Sequence, residues 1–92
     1  MKLEMCSIYD SKADAWHQPM YFQSTAQAIR SFGDAVIASD SDFGRHPEDY
    51  FLFHVGQFDP SSGDVLPLAS AVCLIKAINC IIPDAPSVAL EA

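Results

Sequence analysis

The run from Tyr50 to Phe58 constrains this chain most. Apart from His54, Gly56 and Gln57, every residue in it is aromatic, β-branched or otherwise apolar. Such a run is a strand. Simple alternation puts Phe51, Phe53 and Val55 on one face and Tyr50, Leu52, His54 and Phe58 on the other. Both faces then carry apolar bulk, which predicts a central strand with something packed on each side. The segment Asp59-Pro60-Ser61-Ser62-Gly63 reads as the turn that follows. Proline suits the second position of a tight turn, and Gly63 can adopt positive φ to restart the chain. The returning strand is expected over about residues 64–68. Pro67 within it argues for a sheet edge, because proline cannot donate to a ladder.

The remaining elements are read outward from this hairpin. Residues 3–9 alternate weakly and end at Asp10-Ser11, which predicts a first strand. The stretch to Gln23 is less regular, and Met20–Phe22 is expected as a short strand or bulged extension. Ser24-Thr25-Ala26-Gln27 matches a capping box, so the main helix is expected over about 25–38. Ile29, Phe32, Gly33, Val36 and Ile37 form its apolar face, and Gly33 is expected to permit close helix–sheet approach. Arg30 and Asp34 stand at i,i+4 as an ion pair on the exposed side. Residues 72–80 favour a short second helix, although their β-branched content also allows a strand. Pro83 and Pro86 end it, leaving residues 84–92 as a loose or docked tail. The reading is a single α+β domain over 1–83, a small antiparallel or mixed sheet with one main helix.

Charge and composition narrow the function classes. Twelve acids against five bases give a net charge of −7, unfavourable for non-specific duplex binding, which needs phosphate neutralisation. Half of the residues are hydrophobic, more than one small core can hide, and this predicts self-association through an exposed edge near Leu66 and Leu68, most simply as a homodimer. Cys6, Cys73 and Cys80 form no C-x-x-C pair, and an odd count predicts free, buried thiols in a reducing cytosol. No apolar run is long enough to span a bilayer, so no membrane association is expected.

Patterns for catalysis are lacking. His17, His46 and His54 with Asp49 fit no compact ligand spacing, and Cys73 and Cys80 do not either, so no metal is expected. Glu48 and Asp49 are adjacent and read as turn acids rather than an acid–base pair. Cys6 falls in a strand, where a cysteine is ordinarily a small core residue. There is no glycine-rich phosphate loop and no Gly-x-Ser-x-Gly. The expectation is a non-enzymatic protein without a cofactor. Tyr50, Phe51, Phe53 and Phe58 superficially suggest a single-strand stacking platform, but only Arg45 and His46 lie close in sequence, and these aromatics are expected in the core.

One longer string carries more. His46-Pro47-Glu48-Asp49-Tyr50-x-Leu52-Phe53-x-x-Gly56-x-Phe58-Asp59, closed by Gly63, resembles the small non-structural protein of gokushovirus-type microviruses (Microviridae), single-stranded DNA bacteriophages. Asp10-x-Lys12-Ala13, Pro19 and Ala28-Ile29-Arg30-x-Phe32 with Asp34 support the match, which covers about residues 1–68. The resemblance implies a protein of the infected host cytoplasm, absent from the virion. It also implies either DNA binding or a part in switching replication from duplex to single-stranded genomes. No catalytic residues come with it. The expected function is therefore regulation of viral DNA replication or packaging. It would act through contacts with a viral or host replication protein and through weak single-stranded DNA binding. A structural homo-oligomeric interaction protein is the alternative. Lys12, Arg30, Arg45 and His46 are the candidate DNA contacts, and the surface from Arg45 to Asp49 is the candidate partner contact. The competing reading has Arg30 and Arg45 in local ion pairs with Asp34 and with Asp49 or Glu48.

Overall fold

The computed structural model describes residues 1–81 of the chain; the expected stop at Pro83 and Pro86 and the expected tail lie outside the described residues. The first strand, β1, spans Leu3–Asp10, followed by β2 (Ala15–Trp16) and β3 (Met20–Phe22). Helix α1 covers Thr25–Ile37, and the one-turn α2 covers Asp42–Arg45. A 3-10 turn at Pro47–Asp49 leads into β4 (Tyr50–Asp59), which returns as β5 (Asp64–Lys76) and ends in α3 (Ala77–Ile81). The sheet runs in the order β2-β1-β4-β5, with β3 also paired to β1, and every pairing is antiparallel. This is the expected α+β architecture.

The hairpin forms as its residues dictate. The Asp59 carboxylate accepts from the Ser61 amide at 3.0 Å and the Ser61 hydroxyl at 2.7 Å, and the Gly63 amide donates to the Asp59 carbonyl at 2.7 Å. Gly63 sits at φ +81°, the conformation that glycine tolerates at no steric cost. At the start of α1 the Ser24 hydroxyl accepts from the Gln27 amide. The Gln27 side chain reaches back one residue further than the simplest capping box, to the Gln23 amide.

The core is one layer deep. Ala28, Phe32 and Val36 recur every fourth residue on α1 and are buried against Cys6, Ile8 and Leu52 of the two central strands, with Ala77 closing the end. The apolar stripe is thus rotated from the expected one: Ile29 is half-buried and Ile37, the last helical residue, is exposed. Gly33 faces α3 rather than the sheet, since a Cβ built there would have Cys80 Sγ as its nearest neighbour, at 3.9 Å.

Two further expectations are corrected. The returning strand is far longer than residues 64–68, and the expected helix over 72–80 is reduced to Ala77–Ile81. Because β4 begins at Tyr50, its first residues offer free ladder groups to the chain end, and Leu52 pairs with Ile75 and Phe51 with Lys76. Long-range pairing overrides the weak local helical pattern. The position of β5 at the sheet edge agrees with the reading of Pro67. The simple alternation of β4 also breaks. The register with β1 shifts at Val55, pairing Gly56 with Met5 and Phe58 with Leu3. This bulge moves Phe58 to the face opposite Leu52.

The two glycines predict opposite outcomes. Gly33→Ala adds a methyl in ordinary contact with Cys80 within a helix, and should stabilise the fold by about 0.5–1 kcal/mol. Gly56→Ala puts a Cβ 2.7 Å from the Leu66 carbonyl oxygen and 3.0 Å from Pro67 Cα, both backbone atoms of β5. It should destabilise by about 1–3 kcal/mol. Urea-unfolding midpoints of the two variants check both signs.

Candidate functional site

The residues singled out from the sequence separate into three places. Lys12, His46 and Asp49 come together with Asp10, Glu48 and Tyr50 around a shallow polar depression at one end of the sheet. Local chemistry builds it. Asp10 accepts from the amides of Lys12 (3.0 Å) and Ala13 (3.2 Å), closing the turn after β1. The Ser11 amide and hydroxyl both donate to the Asp49 carbonyl, at 2.8 and 2.9 Å, tying that turn to the entry of β4. His46, Glu48 and Asp49 bring one side-chain donor atom each within 4.8 Å of one another. With Asp10 beside them the cluster is predominantly acidic. The Tyr50 hydroxyl is pushed above its ordinary pKa, first by burial and then by Asp10, Asp42 and Asp49, with Arg45 acting in the opposite sense.

Arg45 points elsewhere. It pairs with Asp42 and stands 3.9 Å from Asp40, not beside Glu48 or Asp49 as the local-pair reading expected. Arg30 lies exposed on α1, and among the described residues it forms no ion pair with Asp34. His54 is held within the sheet, its Nε2 2.8 Å from Glu4, whose carboxylate also accepts from Gln57 at 3.2 Å.

The larger feature is the face of the sheet turned away from α1. Strand pairing places Met5, Tyr9, Trp16, Tyr21, Phe53 and Phe58 on it. Their rings interlock. Tyr9 and Trp16 lie 4.8 Å apart, Trp16 meets Phe53 edge-on at 5.1 Å, and Tyr21 meets Phe58 at 5.6 Å. Trp16 and Tyr21 are 50% and 48% exposed, so these rings do not close a core. The sequence predicts Tyr50, Phe51, Phe53 and Phe58 in the core with cover on both sides of β4; Tyr50 does pack against the core, but among the described residues the helices cover one side only, and Phe51, Phe53 and Phe58 lie on the other.

This face is also poor in charge. The strand carboxylates Glu4, Asp10, Asp59 and Asp64 have the opposite parity, and among the described residues Lys76, opposite Phe51, is the one charged strand residue placed on it. Asp14 touches the rim, where the Tyr9 hydroxyl donates to it at 2.6 Å. That hydrogen bond is the first cause of a raised Tyr9 pKa. The signal for the platform was present in the sequence as the shared parity of Met5, Ser7 and Tyr9 in β1. The shift at Val55 and the side taken by the single helix were not readable there.

Between α1 and the chain linking β2 to β3 lies an apolar cleft of about 570 Å³, lined by residues including Ile8, His17, Met20, Phe32, Phe43 and Leu52. Phe43 packs edge-on against Tyr50 at 4.8 Å and lies tilted against His17 at 5.8 Å.

The expected burial of the cysteines holds for one of three. Cys6 is fully buried, Cys80 half-buried and Cys73 exposed, because Cys73 falls on the edge strand rather than in a helix packed on the core. All three are free thiols. Burial, with a smaller push from the Glu4 charge, raises Cys6 from 9.0 to about 11. The neutral thiol therefore favours the folded state below pH 9.0, and that contribution is lost as pH climbs toward about 11. Alkylation of the native protein at mildly alkaline pH should modify Cys73 first, Cys80 more slowly, and Cys6 only on unfolding. Peptide mass spectrometry over a time course reads the order.

In comparison with known proteins, neither a curated protein nor a solved structure matches the chain. The family described as Phage ORF5 protein matches residues 3–80, which takes in every strand, α1 and the aromatic face. The chain belongs to the Phage ORF5 protein family, and it is a bacteriophage protein.

Proposed function

We propose that this phage protein regulates the balance between duplex and single-stranded viral DNA without catalysing a reaction. In this reading it is a non-structural protein of the gokushovirus type, working in the host cytoplasm on replication or packaging. The observation that carries the proposal is the open, carboxylate-poor aromatic face. Exposed bases stack on such rings at about 1–3 kcal/mol per base, with little dependence on sequence. With a net charge of −7 and Lys76 the one basic strand residue on the face among the described residues, few phosphates are neutralised, so binding is weak and its salt slope shallow. The polar cluster of Lys12, His46 and Asp49 is the contact for a viral or host replication protein. Arg45, engaged by Asp40 and Asp42, and Arg30 on α1 lie outside both surfaces.

Trp16 is the one tryptophan of the chain and reports on the platform directly. Its fluorescence should be quenched by single-stranded oligonucleotides and little changed by duplex of the same sequence. Trp16→Ala should weaken single-strand binding about tenfold, in line with the loss of one stacked base, while Lys12→Ala has a smaller effect. Tight duplex binding with a steep salt dependence, or no response to single strands, overturns the DNA-binding reading. The regulatory role is tested by infection with phage carrying an early stop codon in this gene. Fewer progeny single strands with normal or excess duplex is the expected result; an unchanged ratio with normal yield overturns it.

A further inference from the structure

We infer that the apolar cleft beside α1 takes one unstacked base of a single strand that crosses the sheet edge at Trp16. The inference rests on the reading that single strands lie on the aromatic face, and it adds an enclosed base site to that open platform.

The cleft has the size and lining of a small-molecule site. Its volume of about 570 Å³ accommodates a base with its sugar. Ile8, Phe32 and Leu52 bring apolar side chains of the core to it. Among the described residues no charged side chain lines it, so the part of a ligand that enters is neutral and a phosphate stays outside. Three polar side chains line it as well, those of His17, Gln18 and Ser31. Among the described residues none of the three makes a side-chain hydrogen bond. His17 is held by its backbone instead, its carbonyl accepting from the Ser7 hydroxyl at 2.7 Å and its amide donating to the Ile8 carbonyl at 2.8 Å. Imidazole, amide and hydroxyl can each both donate and accept. A flat, neutral body with donors and acceptors along its edge uses this lining in full. A nucleobase is such a body, and proteins hold unstacked bases against aromatic rings while hydrogen-bonding their edges. An acyl chain or an aliphatic side chain would use the apolar walls and none of the three polar groups.

Two consecutive residues join the cleft to the aromatic face. The Trp16 ring lies against Tyr9 and Phe53 on the open side. The His17 ring lies against Phe43 and Tyr50 on the helix side. Trp16 also lines the cleft. Strand β2 is two residues long and stands at the end of the sheet order, so one strand separates platform from cleft there. A single strand stacked on Trp16 enters the cleft by turning one base around that edge. Stacking on the open face is tolerant of sequence. The cleft meets the edge of one base and gives a preference at that one position.

The methionines read the two places separately, since Met20 lines the cleft and Met5 lies on the aromatic face. In the full chain with methyl-labelled methionine, deoxynucleoside monophosphates at millimolar concentration should shift the Met20 signal in nuclear magnetic resonance spectra, by amounts that differ between bases. Ser31→Phe, an exposed position of α1 that lines the cleft, should abolish that shift. It should also weaken binding of a single-stranded oligonucleotide about tenfold, the loss of one held base, while Met5 still responds to the oligonucleotide. Gln18→Ala should even out the responses to different bases, and it carries the test if Ser31→Phe does not fold. A silent Met20 while oligonucleotides move Met5 overturns the inference and leaves the stacking platform standing. Mononucleotide shifts at Met20 with oligonucleotide affinity unchanged by Ser31→Phe overturn it too, because the cleft then serves free nucleotides. If oligonucleotides move neither methionine, cleft and platform fall together.

Discussion

The contact of Leu52 and Ile8 with Phe32 and Val36 decides the rest of this molecule. It is where the single long helix meets the two central strands. A helix of thirteen residues is about 20 Å long and about 10 Å across, and four strands side by side are about 19 Å wide. Among the described residues one such helix, with the short α2 and α3 at its flank, covers one face of this sheet and leaves none for the other. Every ring of opposite parity from Leu52 is therefore on the uncovered side. The aromatic surface is a consequence of how little helix the described residues contain.

Irregularities in the pairing then set the details. The extra residue at Val55 re-aims Phe58, and the gap between Pro67 and Val72 frees the middle of β5. Both occur beside Gly56, where the absence of a side chain lets β5 cross within contact of the β4 backbone. A regular sheet would have kept Phe58 with Leu52 and drawn the whole of β5 into the ladder. One glycine thus ties the shape of the platform to the freedom of the edge.

Much of this was legible in the residues. The hairpin follows from Asp59, Pro60 and Gly63; the helix start follows from Ser24 and Gln27. The edge position of β5 follows from Pro67. What the sequence concealed was tertiary. The strand identity of Val72 to Lys76 depends on ladder groups offered by Phe51 and Leu52, far away in the chain, against a local pattern compatible with a helix. The turn-end cluster of Lys12, His46 and Asp49 was half visible, since His46 and Asp49 are neighbours in sequence, whereas Lys12 joins them only through the Ser11–Asp49 hydrogen bonds. The partners of Arg45 are not readable from the sequence, because the chain reverses at Asp40, with φ +59°, and α2 then carries Asp42 one turn before Arg45.

The distribution of charge gives the proposed role its selectivity. Carboxylates gather at the turns and on the helix side, and the aromatic face is left nearly neutral. A duplex offers phosphates outside and bases inside. Its phosphates would meet an acidic protein, while its bases are stacked on one another and out of reach of Trp16 and Tyr21. A single strand exposes its bases, and stacking needs few compensating cations. In the proposed role, selectivity for single strands would come from excluding the duplex rather than from gripping a backbone. Such a difference in affinity is what shifting an equilibrium between two forms of DNA requires, because a ligand that binds both forms equally shifts nothing.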